Sequence, residues 1–342
     1  MSVLDGQTAP AGRLSDADPL LDIRNLHVKF AIKRGVIPRV RGHVHAVDDV
    51  NLTLHPGETL GLIGESGSGK STLGRAIVRL VTPTSGEVRL FGRDVSVLGK
   101  AEMKPFRRRV QMVFQDPFSS LNPRMTAGQA VMEPLLVHTR QSAAARQARM
   151  AHLFDMVGVR RDRAEHYPSE FSGGQRQRLC IARAIALDPD LIIADEAVSA
   201  LDVSVQAQVL NLFRRLQADL GLSLLFISHD LAVVASISHT VAVMYLGRLV
   251  EVAPRAVLFR RPRHPYTEAL INAVPRPDPN RPRSFQPIGE IPSMSDRPSG
   301  CHYRARCPLA EDRCQHERPS MREYAPGHWA ACHVRAREEG VR

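Results

Sequence analysis

The chain has 342 residues, of which 43% are hydrophobic and 24% charged, enough to fold as one large domain with an extension. Its apolar runs are too short to span a bilayer and its polar start does not resemble a secretory signal, so we expect a cytosolic chain or one peripheral on the cytosolic face of a membrane. The net charge of +11 would permit nucleic acid as a partner, but no basic run is interleaved with aromatic residues and we expect none.

The first part of the chain predicts a polar tail followed by strands. Residues 1–20 are rich in Gly, Ser, Pro and Asp and predict a flexible tail. Strand-like runs then cover 23–30, 46–54, 58–64 and 87–92, with a basic loop predicted over 32–42. After Lys70 an amphipathic helix is predicted, because its apolar residues recur at helical spacing. These apolar residues are Leu73, Ala76, Ile77 and Leu80.

The remainder alternates helices and strands until the composition changes. Residues 126–165 predict helices, 191–194 and 223–228 strands, and 204–220 a helix between them. Such alternation favours an α/β fold with a parallel sheet covered by helices. Beyond about residue 260 proline becomes dense and the periodicity fades. We therefore predict one domain over 21–260 and a C-terminal extension over 261–342.

A glycine-rich loop predicts a nucleotide site. The sequence from Gly64 to Ser71 fits G-x-x-x-x-G-K-[ST] and lies between a predicted strand and a predicted helix, which is the context the motif needs. Backbone N–H groups of such a loop wrap the α- and β-phosphates at a helix N-terminus. Lys70 would reach the β- and γ-phosphates, and the Ser71 hydroxyl would bind Mg²⁺. The predicted ATP-binding residues are Gly64, Glu65, Ser66, Gly67, Ser68, Gly69, Lys70, Ser71 and Thr72.

An apolar strand ends in two adjacent carboxylates. Successive strand residues face opposite ways, so Asp195 and Glu196 can hold different roles. We predict that Asp195 holds Mg²⁺ and that Glu196 is the general base that polarises the attacking water. His229 ends the next apolar strand and is a candidate contact for the γ-phosphate.

A second glycine-rich helix start identifies the family that the chain resembles. Ser172-Gly-Gly-Gln175 precedes a helix and predicts a second anion-binding helix terminus. With this segment, the sequence resembles the ABC ATPases, whose motifs occur here in the family's order over roughly residues 22–260. The six motifs are the phosphate loop Gly64–Ser71, the glutamine loop at Gln115, the signature Ser172–Gln175, the acidic pair Asp195-Glu196, the loop Ser199–Asp202 and the switch histidine His229.

The resemblance implies a mechanism. It implies the phosphate-loop nucleoside triphosphatase fold of ABC type, with a helical signature subdomain at about 116–185 and a small Cys-rich C-terminal extension. In that family two ATPase domains face head to tail, and the signature of one contacts the ATP of the other. Ser172, Gly173, Gly174, Gln175 and Asp202 would therefore contact the partner's ATP.

Three further positions follow from the same resemblance. Gln115 would sense Mg²⁺ and the attacking water and couple closure to the membrane subunits. Phe30, with His45 behind it, is the candidate for stacking on adenine. The residue after the catalytic glutamate is usually proline in this family, whereas here it is Ala197; we expect a change in loop stiffness without loss of hydrolysis.

Segments outside the core motifs resemble the ATP-binding subunits of oligopeptide and dipeptide importers, of the type often labelled with the final letter F. The stretches 34–50, 71–88, 114–126, 260–275 and 298–314 carry this resemblance. It implies a paralogous ATPase subunit as heterodimer partner, two transmembrane permeases and, indirectly, an extracytoplasmic peptide-binding protein. A nickel or other small-solute importer remains an alternative, and a soluble ABC ATPase acting on nucleic acid or the ribosome is a remote one.

Four cysteines cluster late in the chain, spaced C-x₅-C-x₆-C-x₁₇-C. They are Cys301, Cys307, Cys314 and Cys332. In a cytosolic chain such a cluster favours a metal centre over disulfides, and a segment with little apolar material gains order from one. The spacings are wider than those typical of zinc sites, and some importer ATPases that this tail resembles carry a [4Fe–4S] cluster. We predict that cluster, with Zn²⁺ or free thiols as alternatives and His302, His316 and His333 as substitute ligands.

Overall fold

The computed structural model describes residues 18–34, 39–273, 294 and 297–341, with only the backbone described at 33–34 and 39–41. Most of the predicted N-terminal tail lies outside this range. Leu20, which the tail was predicted to include, is instead buried and its N–H donates to the carbonyl of Leu54.

The described elements follow one another in an α/β order. In the first half they are β1 Leu21–Arg34, β2 Arg39–Leu54, β3 Thr59–Ile63, α1 Lys70–Ile77, β4 Ser85–Leu90, β5 Arg93–Asp94, α2 Lys104–Arg109, β6 Val110–Val113, α3 Pro117–Ser120, α4 Ala127–His138 and α5 Ala143–Val157. In the second half they are α6 Gly173–Ala184, β7 Leu191–Asp195, α7 Val203–Leu220, β8 Ser223–Ser228, α8 Leu231–Ile237, β9 Thr240–Tyr245, β10 Arg248–Pro254, α9 Arg255–Arg260, α10 Pro265–Ala273, α11 Arg313–His316, β11 Arg322–Ala325, β12 His328–Ala330 and α12 His333–Glu338.

The strands form two sheets. The larger has the order β11-β12-β10-β9-β3-β8-β7-β6, in which β9, β3, β8, β7 and β6 run parallel and the three edge strands are antiparallel. Every residue of β3, β7 and β8 is buried, because the central strands of a parallel sheet are covered on both faces. The smaller sheet is antiparallel, with the order β2-β1-β4-β5. The predicted parallel sheet with helical layers is confirmed.

Helices α3 to α6 pack against one another beside the large sheet. Their buried side chains, which include Leu153, Phe154 and Leu179, share one apolar cluster with α7 and with one face of the sheet. A second cluster joins the small sheet and α1 to the opposite face. Helix α1 thus belongs to the second cluster and α6 to the first, and each begins at a glycine-rich segment.

Two local predictions were wrong. The first was the loop over 32–42, where β1 and β2 continue and pair at Ile32 with Gly42 and at Arg34 with Arg39, while 35–38 lie outside the described residues. The second was Leu80, which is 57% exposed instead of buried on α1. The helix ends at Ile77 because the chain turns through a left-handed Arg79, and the N–H of Leu80 bonds back to the carbonyl of Arg75.

The C-terminal extension packs on the edge of the large sheet. Strand β12 pairs with β10, and Glu251 on β10 binds the imidazole of His328 at 2.7 Å in a fully buried contact. Tyr303 of the extension packs against Tyr245 and Tyr266 in a third apolar cluster. Residues on both sides of the predicted boundary near 260 thus share one sheet and one core.

Candidate nucleotide site

The phosphate loop joins β3 to α1 in a conformation that requires glycine. Gly69 has φ of 104° and caps α1, and a Cβ there would lie 2.1 Å from the carbonyl oxygen of Ala46. At Gly64 a Cβ would lie 2.2 Å from the carbonyl oxygen of Met244. No side chain fits at these two positions, since real Cβ contacts are never so short. The backbone can therefore present its N–H groups at the start of α1.

Lys70 curls back over this loop. Its ammonium donates hydrogen bonds to the carbonyl oxygens of Gly64 at 2.7 Å and Glu65 at 2.9 Å, and lies 3.4 Å from Ser68 Oγ. Burial lowers its pKa, while the carboxylates of Glu196, Asp195 and Glu65 act in the opposite direction. The cation is thus held against the backbone of the loop at the start of α1.

Ser71 and Asp195 form an oxygen pair beside Lys70. Ser71 Oγ donates to Asp195 Oδ1 at 2.7 Å, which joins the first turn of α1 to the end of β7. Asp195 is buried, and burial raises its pKa although the Ser71 hydrogen bond opposes the shift. A hydroxyl and a carboxylate are ligands that suit Mg²⁺, which takes few protein oxygens and keeps its other positions for water and phosphate.

Glu196 is the point where three predicted motifs meet. Its Oε2 accepts a hydrogen bond from Gln115 Nε2 at 3.0 Å and lies 3.3 Å from Nδ1 of His229. The sequence reasoning placed Glu196 on the opposite face of the strand from Asp195. In the structure, β7 ends at Asp195 and a left-handed backbone at Glu196, with φ of 48°, redirects the side chain. Strained backbone of this kind is concentrated at functional sites.

The turn after Glu196 is ordered although Ala197 replaces the usual proline. The N–H of Glu196 donates to the carbonyl of Ile227, and its own carbonyl accepts from the Ser199 hydroxyl at 2.9 Å. Ala197 itself is buried. These bonds fix the orientation of the glutamate without a proline ring.

The signature segment forms a fully capped helix start. Ser172 Oγ accepts from the N–H of Gln175, and Gln175 Oε1 accepts from the N–H of Ser172 at 3.1 Å. Gly174 has no room for a side chain, because a Cβ would lie 2.3 Å from Cγ1 of Val205. Asp202 caps α7 by accepting from the N–H of Val205 at 3.0 Å. The signature and Asp202 are thus joined through the start of α7.

Phe30 is 45% exposed on β1, opposite Val44. The same hairpin reaches the phosphate loop, since the carbonyl of Ala46 lies against Gly69. Stacking of Phe30 on adenine stays a prediction.

The four cysteines of the extension are free thiols that lie near one another. Burial raises the pKa of Cys301 to about 11 and that of Cys307 to about 12, and the neighbouring thiols add to both shifts. The N–H of Cys301 donates to the carbonyl of Cys314 at 2.8 Å. Within residues 18–34, 39–273 and 297–341, however, no three Cys, His, Asp or Glu side chains are arranged to hold a metal ion. The predicted cluster therefore finds no support in the arrangement of ligands.

Sequence reasoning missed two residues of the extension at the nucleotide site. Tyr266 and Arg306 both contact Glu65 of the phosphate loop. No local pattern could have indicated them, because they lie 201 and 241 residues from their partner. Among the helices that the structure describes, none is long and apolar enough to cross a membrane.

These features together define a phosphate-loop ATPase. They are a phosphate loop that requires glycine, a hydroxyl and a carboxylate that suit Mg²⁺, and a glutamate that contacts a glutamine and a histidine. The capped signature helix and its link to Asp202 narrow the class to the ABC type.

Comparisons with known proteins agree. Residues 47–199 match the ABC transporter family, and 250–314 match the C-terminal region of oligopeptide/dipeptide transporters. A probable peptide ABC transporter ATP-binding protein of Sinorhizobium fredii is 56% identical over 94% of this chain and 91% of its own length. The glutathione import ATP-binding protein of Salmonella choleraesuis is 48% identical over 92% of this chain but only 49% of its own length.

Among solved structures, a dimeric ATP-binding cassette in a post-hydrolysis state with ADP and phosphate aligns with a TM-score of 0.62 and 30% identity. The alignment covers 69% of this chain and 98% of that cassette. The chain belongs to the family of ABC transporter ATP-binding proteins, and it is an ATPase of the ABC type.

Proposed function

We propose that this chain hydrolyses ATP to power the import of peptides through an ABC transporter. The observation that carries the cargo class is the match of residues 250–314 to the C-terminal region of oligopeptide/dipeptide transporters. The peptide transporter relative, which aligns with nearly the whole chain, supports the same class. Glutathione is itself a small peptide, so the second relative fits the same proposal. Import of nickel or another small solute remains the alternative.

Cargo is tested by uptake in cells that lack this chain. We expect them to lose uptake of a radiolabelled oligopeptide and to take up ⁶³Ni²⁺ normally, with recovery when the wild-type gene is returned. Loss of nickel uptake with normal peptide uptake would overturn the proposal in favour of the alternative.

Hydrolysis is assigned to the residues around Glu196. We propose that the loop from Gly64 to Thr72 binds the phosphates of ATP and that Ser71, Asp195 and Gln115 hold Mg²⁺. Glu196 accepts the proton of the attacking water, since it carries the carboxylate next to the predicted γ-phosphate position. His229 contacts the γ-phosphate and orients Glu196. Phe30 is proposed to stack on adenine.

A second subunit completes the site. Ser172, Gly173, Gly174, Gln175 and Asp202 are proposed to contact ATP bound to a paralogous ATPase subunit, and that subunit's signature to contact ATP bound here. The capped start of α6, a helix that belongs to a different apolar cluster from α1, supports this arrangement. Helix N-termini attract phosphate through their free N–H groups and dipole.

We propose that the chain reaches the cytoplasmic face of the cell membrane by docking onto two permeases, which accept peptide from an extracytoplasmic binding protein. A groove of about 330 Å³, lined by the segment that follows α1 and by residues of α2, β6, α4 and α6, supports this docking. Leu80 and Val137 line it and are each 57% exposed. The groove lies at the strand that leads to Gln115, so a permease helix seated in it would be linked to the hydrolysis site.

The docking prediction uses a charged substitution in the groove. Because a buried carboxylate in an apolar contact is costly, we expect Leu80→Glu with Val137→Glu to abolish co-purification with the permeases in detergent. Val97→Glu is the matched control, since Val97 is 78% exposed and lies outside the groove. Unchanged co-purification of the groove variant, with ATP still bound, would contradict docking at this site.

We also propose that Cys301, Cys307, Cys314 and Cys332 hold a structural [4Fe–4S] cluster. The spacing of the four cysteines in one short extension and the hydrogen bond from the N–H of Cys301 to the carbonyl of Cys314 support it. Each iron of such a cluster takes one thiolate, so the four thiolates stand farther apart than the ligands of a single zinc ion. Zinc remains the alternative.

Anaerobic purification tests the centre. We expect a brown protein with about four irons and four sulfides per chain, and we expect Cys307→Ser to lose the colour. Cys180→Ser is the control, because Cys180 is buried among helices α3 to α6 far along the chain. A colourless wild-type protein with one equivalent of zinc would show that the four cysteines bind zinc instead. A wild-type protein without any metal would contradict both the iron–sulfur cluster and the zinc site.

A further inference from the structure

The C-terminal extension contacts the phosphate loop at Glu65. All three polar groups of this residue are bound. Its N–H donates to the hydroxyl of Tyr266 at 2.8 Å, and its carbonyl accepts from Lys70 at 2.9 Å. Its carboxylate receives two hydrogen bonds from the guanidinium of Arg306, each 2.8 Å long. The carbonyl also accepts from the N–H of Ser68 at 3.1 Å within the loop. Tyr266 and Arg306 come from beyond residue 260, outside the six sequence motifs.

The contact is largely shielded from solvent. The Arg306 side chain is 5% exposed and that of Glu65 21%, and Tyr266 is buried. The guanidinium carbon lies 5.9 and 5.7 Å from the rings of Tyr245 and Tyr303. A two-pronged arginine–carboxylate pair in such surroundings fixes both orientation and charge.

The negative charge of Glu65 connects its ion pair with Arg306 to the binding of nucleotide. The carboxylate belongs to a loop whose task is to hold phosphates, so without a counter-charge it would repel them at short range. Arg306 neutralises it. The two hydrogen bonds from Arg306 fix the Glu65 side chain, while Lys70 binds the backbone carbonyl of the same residue.

We infer that Arg306 and Tyr266 are positioning residues for ATP. Arg306 neutralises and orients Glu65, Tyr266 fixes the peptide N–H of Glu65, and the phosphate loop thereby depends on the C-terminal extension for its affinity. Arg306 stands in a short turn that begins at Cys301 and ends at Cys307. The inference rests on the ATP site alone and is independent of the cargo.

Equilibrium binding of ADP to the full-length chain tests the inference, because ADP keeps the phosphates that the loop holds and is not consumed. Removing one partner of a buried charge pair leaves the other unpaired. We expect Arg306→Met to raise the Kd for ADP at least about tenfold, which corresponds to about 1.4 kcal/mol. Tyr266→Phe, which keeps the ring packing, should raise it by about threefold. Arg313→Met is the control, since Arg313 is exposed and forms an ion pair with Glu317 within the extension.

A double variant separates positioning from general stability. If Arg306 acts by neutralising Glu65, then Glu65→Gln should rescue Arg306→Met and return the Kd for ADP to within about threefold of wild type. If Arg306 acted only through the stability of the fold, the Kd for ADP would follow the melting temperature of each variant, whatever the charge at position 65. Melting temperatures without nucleotide report the structural loss separately. Should Arg306→Met not fold, Arg306→Lys replaces it; this variant keeps the charge but loses the second bond, and should bind ADP more weakly than wild type.

A wild-type Kd in the Arg306 variant, or a double variant no better than the single one, would overturn the inference. Peptide uptake plays no part in these measurements, so the failure of peptide import as the function would leave the ADP results unaffected. Equally, normal peptide import by wild-type cells would not support the roles of Arg306 and Tyr266 if the ADP measurements contradicted them.

Discussion

Glu196→Gln is expected to lower the rate of ATP hydrolysis by roughly 10²–10⁴-fold while ATP remains bound. The amide cannot accept the proton of the attacking water, but it keeps the size of the side chain and can still contact Gln115 and His229. Because binding persists without turnover, ATP should trap the chain and the proposed paralogous subunit as a stable dimer. Phosphate release and gel filtration with MgATP measure the two effects.

Glu87→Gln is the matched control, because Glu87 is a half-exposed carboxylate on the small sheet that pairs with Arg89. It should hydrolyse ATP at the wild-type rate. Unchanged turnover in the Glu196 variant would remove Glu196 as the general base, and the search for the base would then turn to His229.

Lys70→Ala should instead weaken nucleotide binding itself, by roughly 10–10²-fold in Kd, since one or two charge-assisted hydrogen bonds to phosphate are lost. The lysine also bonds to the carbonyls of Gly64 and Glu65 in the absence of nucleotide, so the loop loses an internal tie as well. Calorimetric titration with ADP measures the change.

Lys100→Ala serves as the control for charge, because Lys100 is exposed and distant in sequence from the loop. It should bind ADP as the wild type does. If Lys70→Ala bound ADP with wild-type affinity, the ammonium would not lie against the phosphates, and the assignment of the loop would be wrong.

The core of the site could be predicted because its motifs are local. A glycine-rich loop between a strand and a helix, or a serine-capped Gly-Gly helix start, is read within a few residues. The position of a residue along a predicted strand was a poorer guide to the direction of its side chain. The direction of Glu196 depends on a left-handed backbone just past β7, and strand alternation alone does not indicate it.

Features set by distant pairing could not be predicted. The end of α1, which exposes Leu80, depends on a left-handed Arg79, a conformation that any residue other than glycine adopts rarely. The strands of the extension join the sheet through β10, and Arg306 finds Glu65 across 241 positions. Such contacts depend on the packing of the whole chain, because no short sequence pattern indicates which distant residue will contact a given side chain.

The central claim, that hydrolysis at Glu196 drives peptide import, is tested most directly by uptake of a radiolabelled oligopeptide in cells whose only copy of this chain carries Glu196→Gln. We predict that uptake falls to the level of cells that lack the chain, while the variant is made at the normal level and remains bound to its permeases. Cells with Glu87→Gln should take up the peptide normally. Normal peptide uptake by the Glu196 variant would contradict the claim.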